Sequence, residues 1–364
     1  MMERNQITVT YGSDPGLMTR QLLEALRPET EIPKGRTVLL KPNLVVAKGA
    51  STGATTHPEI LEAIILYLRE QGIQDIVIAE GSWIGDNTKR AFQVSGIGEV
   101  ARRMKVPCLD LKDDDYETVT SAGIKMEISK TALEAGYLIS LPVLKGHCQT
   151  TITCALKNMK GILSDRSKRM FHSLGLHRPI AALNAARCAD LVIVDSLCGD
   201  LDFEEGGNPV STNRMLAGKD SVLLDAYGAA LLGYETGDIP YIGMAEQLGV
   251  GTADLDKASI VALNQSSCEK APVSSRRIRR LEGYVQADSA CSACYGNLIH
   301  ALSRLEERGD LSRLRTPVLI GQGFRGQEKE GLGIGNCCRG CSRYVKGCPP
   351  SAIDIVRALE DELS

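Results

Sequence analysis

Six of the twelve cysteines in this 364-residue chain crowd into its tail. The tail reads C-S-A-C at 291–294, G-N-C-C-R-G-C at 335–341 and K-G-C-P-P at 346–350. In a reducing compartment, clustered cysteines serve as metal ligands or catalytic thiols more readily than as disulfides. Iron–sulfur clusters are held by cysteine thiolates, four in the common case. A Cys-x-x-Cys pair on a turn lets two sulfurs reach one centre without backbone strain. Glycines beside the ligands let backbone amides approach the sulfides, and proline after the last ligand stiffens the turn. Cys291, Cys294 and Cys348 are therefore expected to ligate one [4Fe–4S] cluster. Cys337 is expected as the fourth ligand, because Gly335 and Asn336 precede it; Cys338 and Cys341 are the alternates. Two clusters would need about eight thiolates. The competing centre is a four-cysteine zinc site, for which C-R-G-C could supply the second pair. Cys108, Cys148, Cys154, Cys188, Cys198 and Cys268 are scattered and read as small buried hydrophobes.

Upstream of the tail, apolar runs alternate with helical patterns. V-L-L at 38–40, D-I-V-I-A-E at 75–80, Y-L-I-S-L-P at 137–142 and D-L-V-I-V-D at 190–195 read as buried strands. Helices are expected at 15–26, from the T-T-H-P-E start at 55–59 toward Gly72, and at 88–94, 97–104, 150–162, 179–188, 220–232 and 241–248. Proline cannot donate to a sheet ladder, so the first of these strands should stop at Lys41-Pro42. The pattern predicts an α/β fold with a mainly parallel sheet flanked by helices, followed by a smaller C-terminal α+β cluster domain. The expected boundaries are 1–272 for the sheet domain, 273–284 for a basic linker and 285–364 for the cysteine domain. A glycine-rich loop is expected over 321–335.

The formal net charge of −3 and the 4% aromatic content argue against a nucleic-acid binder. No apolar run is long enough to span a bilayer, and the first residues lack a signal core. A cytoplasmic location is expected.

In open α/β sheets ligands bind beyond the carboxyl ends of the strands. That rule selects Lys41 and Asn43, Glu80 and Ser82, the Lys145-Gly146-His147 stretch, and Asp195. The richest stretch, 141–161, adds Thr150, Thr151, Lys157, Asn158 and Lys160. Lysines and hydroxyls at a helix start suit an anion, and a histidine there can move a proton. Lys145 and His147 are the expected catalytic pair. Lys41, Asn43, Thr150, Thr151, Lys157 and Asn158 are expected to bind substrate. There is no P-loop and no dinucleotide fingerprint opening a helix.

Together K-P-N-L at 41–44, T-T-H-P at 55–58, L-P-V-L-K-G-H with K-N-M-K-G across 141–161, and the terminal cysteines ending in G-C-P-P resemble one family. It is the bacterial and archaeal group known as domain of unknown function 362. The resemblance implies an α/β domain with a C-terminal iron–sulfur centre, in prokaryotes that often live without oxygen, and it implies no particular activity. The lysine–histidine pocket is also similar in style to the nickel-pincer lactate racemase group.

These readings make the chain a redox enzyme delivering electrons from its cluster to a small anionic substrate near Lys145–Asn158. The alternatives are a ferredoxin-like electron-transfer partner, or a non-redox lyase or isomerase whose cluster is structural or a Lewis acid. The partners expected are a small anion and a redox protein, with homo-oligomer formation left open.

Overall fold

The computed structural model describes residues 3–207, 209–265 and 277–363. Runs without polar alternation belong to strands covered on both faces, and the four apolar runs above all form such strands. In chain order the strands up to residue 262 are β1 (Gln6–Tyr11), β2 (Val38–Pro42), β3 (Ile76–Glu80), β4 (Cys108–Asp110), β5 (Tyr116–Ser121), β6 (Ile124–Ser129), β7 (Tyr137–Leu141), β8 (Lys145–His147), β9 (Thr151–Thr153), β10 (Leu191–Asp200), β11 (Pro209–Gly218) and β12 (Ser259–Ala262). Eight of them build one sheet in the order β12-β1-β11-β10-β7-β2-β3-β4. Every pairing is parallel except those of β11 with β1 and β10. Leu22, Leu40, Ile64, Ile78, Ile139 and Ile193 are fully buried in a core that joins the sheet to its helices.

The chain divides into two compact units. One comprises Met1–Lys168 and His177–Val273, the other Arg169–Leu176 and Ser274–Ser364. The expected domain boundary at 272–273 lies outside the described residues, and Arg277–Glu282, within the expected linker, is helical. In the second unit β13 (Val285–Ala287), β14 (Val318–Ile320), β15 (Lys329–Ile334) and β16 (Cys341–Val345) form a parallel sheet in that order. The helices Ser292–Arg308 and Ala352–Leu363 complete the unit. Among the described residues no helix is long and apolar enough to cross a membrane.

β2 ends at Pro42, as expected, and Pro42 stays in register with Leu141. The ladder tolerates the missing donor because Asn43 N–H resumes it, donating to the Leu141 carbonyl at 3.1 Å. The helix Pro58–Glu70 opens in the expected T-T-H-P-E stretch, with His57 at its head and no side-chain cap, and the Thr56 hydroxyl donates to the Leu141 carbonyl at 2.7 Å. Other local expectations need correcting. The helix expected over 150–162 is an antiparallel hairpin, β8–β9, followed by the short helix Ala155–Asn158 and a 3-10 turn. The β-branched run Thr150–Thr153 favours extended backbone, which outweighs the helical periodicity. The glycine-rich stretch 321–335 carries β15, because Leu332 and Ile334 turn their side chains into the small sheet's core.

Candidate functional site

The carboxyl ends of β2, β3 and β7 and the hairpin β8–β9 gather the polar residues of the first unit. Lys41 and Lys145 are fully buried, and His147, Thr150, Asn43, Lys157 and Asn158 nearly so. Lys41 Nζ donates to Glu80 Oε2 and, at 3.3 Å, to the Pro42 carbonyl. Burial pulls the Lys41 ammonium down and pushes the Glu80 carboxyl up; each charge opposes the other's shift. Lys168 closes this corner, donating to the Gly81 and Ser82 carbonyls, both at 3.0 Å. Burial lowers it to about 8, against the pull of Glu80.

A second chain of bonds runs through the motif residues. Lys145 Nζ donates to Asn43 Oδ1 at 2.8 Å and to the Ala54 carbonyl. Asn43 Nδ2 donates to Asn158 Oδ1, and Asn158 Nδ2 to Ser140 Oγ, both at 2.9 Å. Burial lowers Lys145 to about 7, opposed first by Glu204. His147 Nδ1 accepts from the Gln149 and Thr150 backbone N–H groups at 3.0 and 3.1 Å. Those two donors place the imidazole proton on Nε2, which faces Glu204 Oε2 at 3.1 Å. Burial lowers His147 to about 4, so the ring is neutral near pH 7.

Sequence reasoning missed Glu204. Its carboxylate sits between His147 and Lys157, and Lys157 Nζ donates to it and, at 3.2 Å, to Thr153 Oγ1. Burial alone would raise Glu204, but His147 and Lys157 hold it well below the usual carboxylate range. Near pH 7, where His147 is neutral, its share is the hydrogen bond, and the charge comes from Lys157 and Lys145. The neighbouring Glu205 is pushed up to about 7 by burial and by Glu204. The loop bearing both is clamped. Asp200 Oδ1 accepts from the Asp202 and Phe203 N–H groups, each at 2.9 Å, and Lys48 Nζ donates to the Glu205 carbonyl at 2.7 Å. A Cβ on Gly146 would lie 2.0 Å from the Leu201 carbonyl oxygen, so the K-G-H motif needs glycine for the loop to lie across it. The Thr150 hydroxyl donates to the Ile152 carbonyl at 3.1 Å, and Thr151 turns the hairpin with φ of 67°. The anion-binding helix start expected here is replaced by a hairpin.

The second unit brings tail cysteines together. Cys294 lies near Cys291, Cys348, Cys337 and Cys338, whose charges add to burial in pushing its thiol up. Gln322 Nε2 donates to Cys291 Sγ at 3.5 Å and Arg325 Nε to Cys337 Sγ at 3.3 Å. Gly335, with φ of 84°, faces this group; a Cβ there would lie 3.7 Å from Cys294 Sγ. Cys338 and Cys341 pack with Leu319 and Phe324 in a small core, and Cys338 Sγ donates toward the Leu319 carbonyl at 3.6 Å. Among the described residues no three Cys, His, Asp or Glu side chains stand close enough to grip a single metal ion. A cubane cluster is several atoms across and holds its thiolates wider apart than one ion does. The donor chemistry of Cys291, Cys294, Cys337 and Cys348, together with the bare face of Gly335, fits such a group.

A mainly parallel α/β unit joined to a cysteine-rich unit is the class these features define. The family model described as "Domain of unknown function (DUF362)" matches residues 38–230, more than half of the chain, and the chain belongs to that family. The thylakoid-associated protein sll1697 of Synechocystis sp. is 25% identical over 245 residues, covering 64% of this chain and 74% of the relative. The lactate racemase apoprotein from Thermoanaerobacterium thermosaccharolyticum is similar with a TM-score of 0.42 and 14% identity, over 62% of this chain and 56% of its own. A protein from Thermotoga maritima gives 0.39 and 14%, over 65% and 60%. The chain thus spans less than two thirds of either solved structure.

Proposed function

We propose that the chain is an iron–sulfur enzyme whose sheet unit binds a small carboxylate. The observation that carries this reading is Glu204, a carboxylate seated between His147 and Lys157 in a site built of buried cations and oriented amides. A substrate carboxylate would take that position. Lys157 would neutralise it and the neutral His147 would donate its Nε2 proton to one oxygen. Lys145, fixed by Asn43 and set to about 7, can hold or release a proton beside it. Cys291, Cys294, Cys337 and Cys348 would hold the cluster, which when bound supplies single electrons.

The first test is anaerobic purification with iron and sulfide analysis and a visible spectrum. Brown protein with iron and sulfide in equal amounts is expected; colourless, zinc-loaded protein would sink the redox reading. The second is calorimetric titration with acetate and formate. Glu204→Ala should bind them more tightly than the parent chain, and equal affinity would remove the anion site. A non-redox isomerase or lyase is the second reading, favoured because Lys145 at about 7 is a competent base without any electron source. Turnover that survives Cys291→Ser would select it.

A further inference from the structure

One buried cation of the first unit serves neither the anion site around Lys157 nor the metal centre. Arg214 lies on β11, paired with Tyr11 of β1 on one side and Ser196 of β10 on the other. Tyr11 ends β1, and Ser196 follows the apolar run of β10. The arginine therefore stands at the carboxyl edge of the parallel strands, where open α/β sheets bind ligands. Its neighbour Met215 faces the core shared with Leu22 and Ile64, so Arg214 takes the opposite face. The helix Ser221–Leu231 runs back along that face: Leu224 lies against Gly218, and Tyr227 sits about a turn further on, toward Arg214. Just beyond the Ser196–Arg214 pair the register of β10 against β11 slips, with Asn213 at φ of 46°. Bulges of this kind re-aim side chains beside binding sites.

Arg214 is 7% exposed, and its Nε–H is sealed from solvent without an acceptor. Among the described residues its guanidinium makes no hydrogen bond and no ion pair, and its Nη atoms are the ends left in reach of solvent. The hydroxyls beside it satisfy each other: Ser196 Oγ and Thr212 Oγ1 meet at 3.1 Å, and Thr212 donates to the Ser196 carbonyl. A guanidinium cannot shed its proton, and a buried charge without a counter-ion destabilises the fold that holds it. The protein itself makes no use of this charge, which leaves it for a ligand. Tyr11 and Tyr227 are half-buried, and among the described residues neither phenol hydroxyl has a partner. Tyr11 and Arg214 are the groups whose charge bears on the Tyr227 hydroxyl, so this corner carries one positive charge.

We propose that Arg214, Tyr11 and Tyr227 form a second anion site, which takes the carboxylate of a small organic acid. The flat guanidinium matches the two oxygens of a carboxylate, and the phenol hydroxyls can donate to the same oxygens. A single positive charge suits a carboxylate better than a phosphate group, which carries closer to two negative charges. The site shares no residue with the one around Lys157, so each stands without the other.

The test follows the melting temperature of the full-length protein as sodium acetate replaces sodium chloride at constant ionic strength, with inorganic phosphate as the comparison anion. Acetate should raise the melting temperature of the parent chain, and Arg214→Met should need about tenfold more acetate or more for the same rise. The double substitution Tyr11→Phe with Tyr227→Phe should need about fivefold more. Glu204→Ala, which probes the other site, should keep the part of the response that depends on Arg214. In chloride alone Arg214→Met should melt no lower than the parent, because it gives up an uncompensated charge and no internal bond. An Arg214→Met chain that melts lower in chloride, or does not fold, has lost an arginine the fold uses, and that overturns the proposal. A parent chain indifferent to acetate, or a response that survives Arg214→Met, overturns it as well. Phosphate acting through Arg214 at lower concentration than acetate overturns the carboxylate assignment, and an unchanged response in the double phenylalanine variant removes the phenols from the site.

Discussion

Lys41 and Glu80 form an ion pair with almost no exposure. Removing one partner of such a pair leaves a bare buried charge, so Glu80→Ala should cost about 3–5 kcal/mol of unfolding free energy in urea titration. Two histidines set opposite pH limbs. The ordinary histidine value is near 6.5. His57 is raised to about 10 because Asp195 and Cys198 outweigh the burial that alone would lower it. Its stabilisation is therefore complete below pH 6.5 and is lost as pH climbs toward 10. His147 is lowered to about 4 by burial. The unfolded chain takes up that proton first, so stability falls as pH drops from 6.5 toward 4. Melting temperatures across pH 4–10 should peak between the limbs, and His57→Gln should flatten the alkaline one. The strand-end rule made Lys41, Asn43, Glu80, Lys145 and Asp195 legible in the sequence. Glu204 stayed hidden because its carboxylate reaches the site only through a loop folded back over β8.

At the level of elements, strands were easier to find than the turn chemistry between them. Apolar runs such as L-V-I-V have no competing reading, and all became strands. The stretch 150–162 mixes β-branched threonines with helix formers, and the tertiary pairing of β8 with β9 decided it. Gly146 belongs to that hairpin, and its importance depends on a backbone 55 positions on, which no local pattern reports. Gly146→Ala should push the Leu201 carbonyl away and carry Glu204 out of contact with His147. Lifting the loop also lets water reach the ring and relieves the burial that lowers His147, which outweighs the lost raising contact of Glu204, so nuclear magnetic resonance of the imidazole should show it titrating closer to 6.5; an unchanged titration would mean that the loop is anchored elsewhere.

For the whole molecule, the two-unit division sets the six tail cysteines apart from the cysteines of the sheet unit. The sequence set Cys337 against Cys338 and Cys341 because spacing alone cannot tell adjacent sulfurs apart. Packing distinguishes them: Cys338 is sealed in the small sheet's core, while Cys337 meets Arg325 beside the other tail thiols. On the proposed cluster reading, Cys337→Ala should lose iron with little loss of fold, whereas Cys338→Ala should keep iron and melt earlier, as iron analysis and calorimetry on both variants would show. The topology of the large sheet also bears on how the chain is made. Among the described residues β1 pairs with β11 and β12 alone, strands that begin at Pro209 and Ser259. At roughly 5–20 residues per second, a nascent chain holds β1 without partners for on the order of ten seconds or more. Its alternating sequence, Q-I-T-V-T-Y, places the fully buried Thr8 and Thr10 where a sheet interior would ordinarily take valine. Two hydroxyls in a waiting strand make it a poorer template for a neighbouring chain, so the N-terminal segment is suited to survive its own delay on the ribosome.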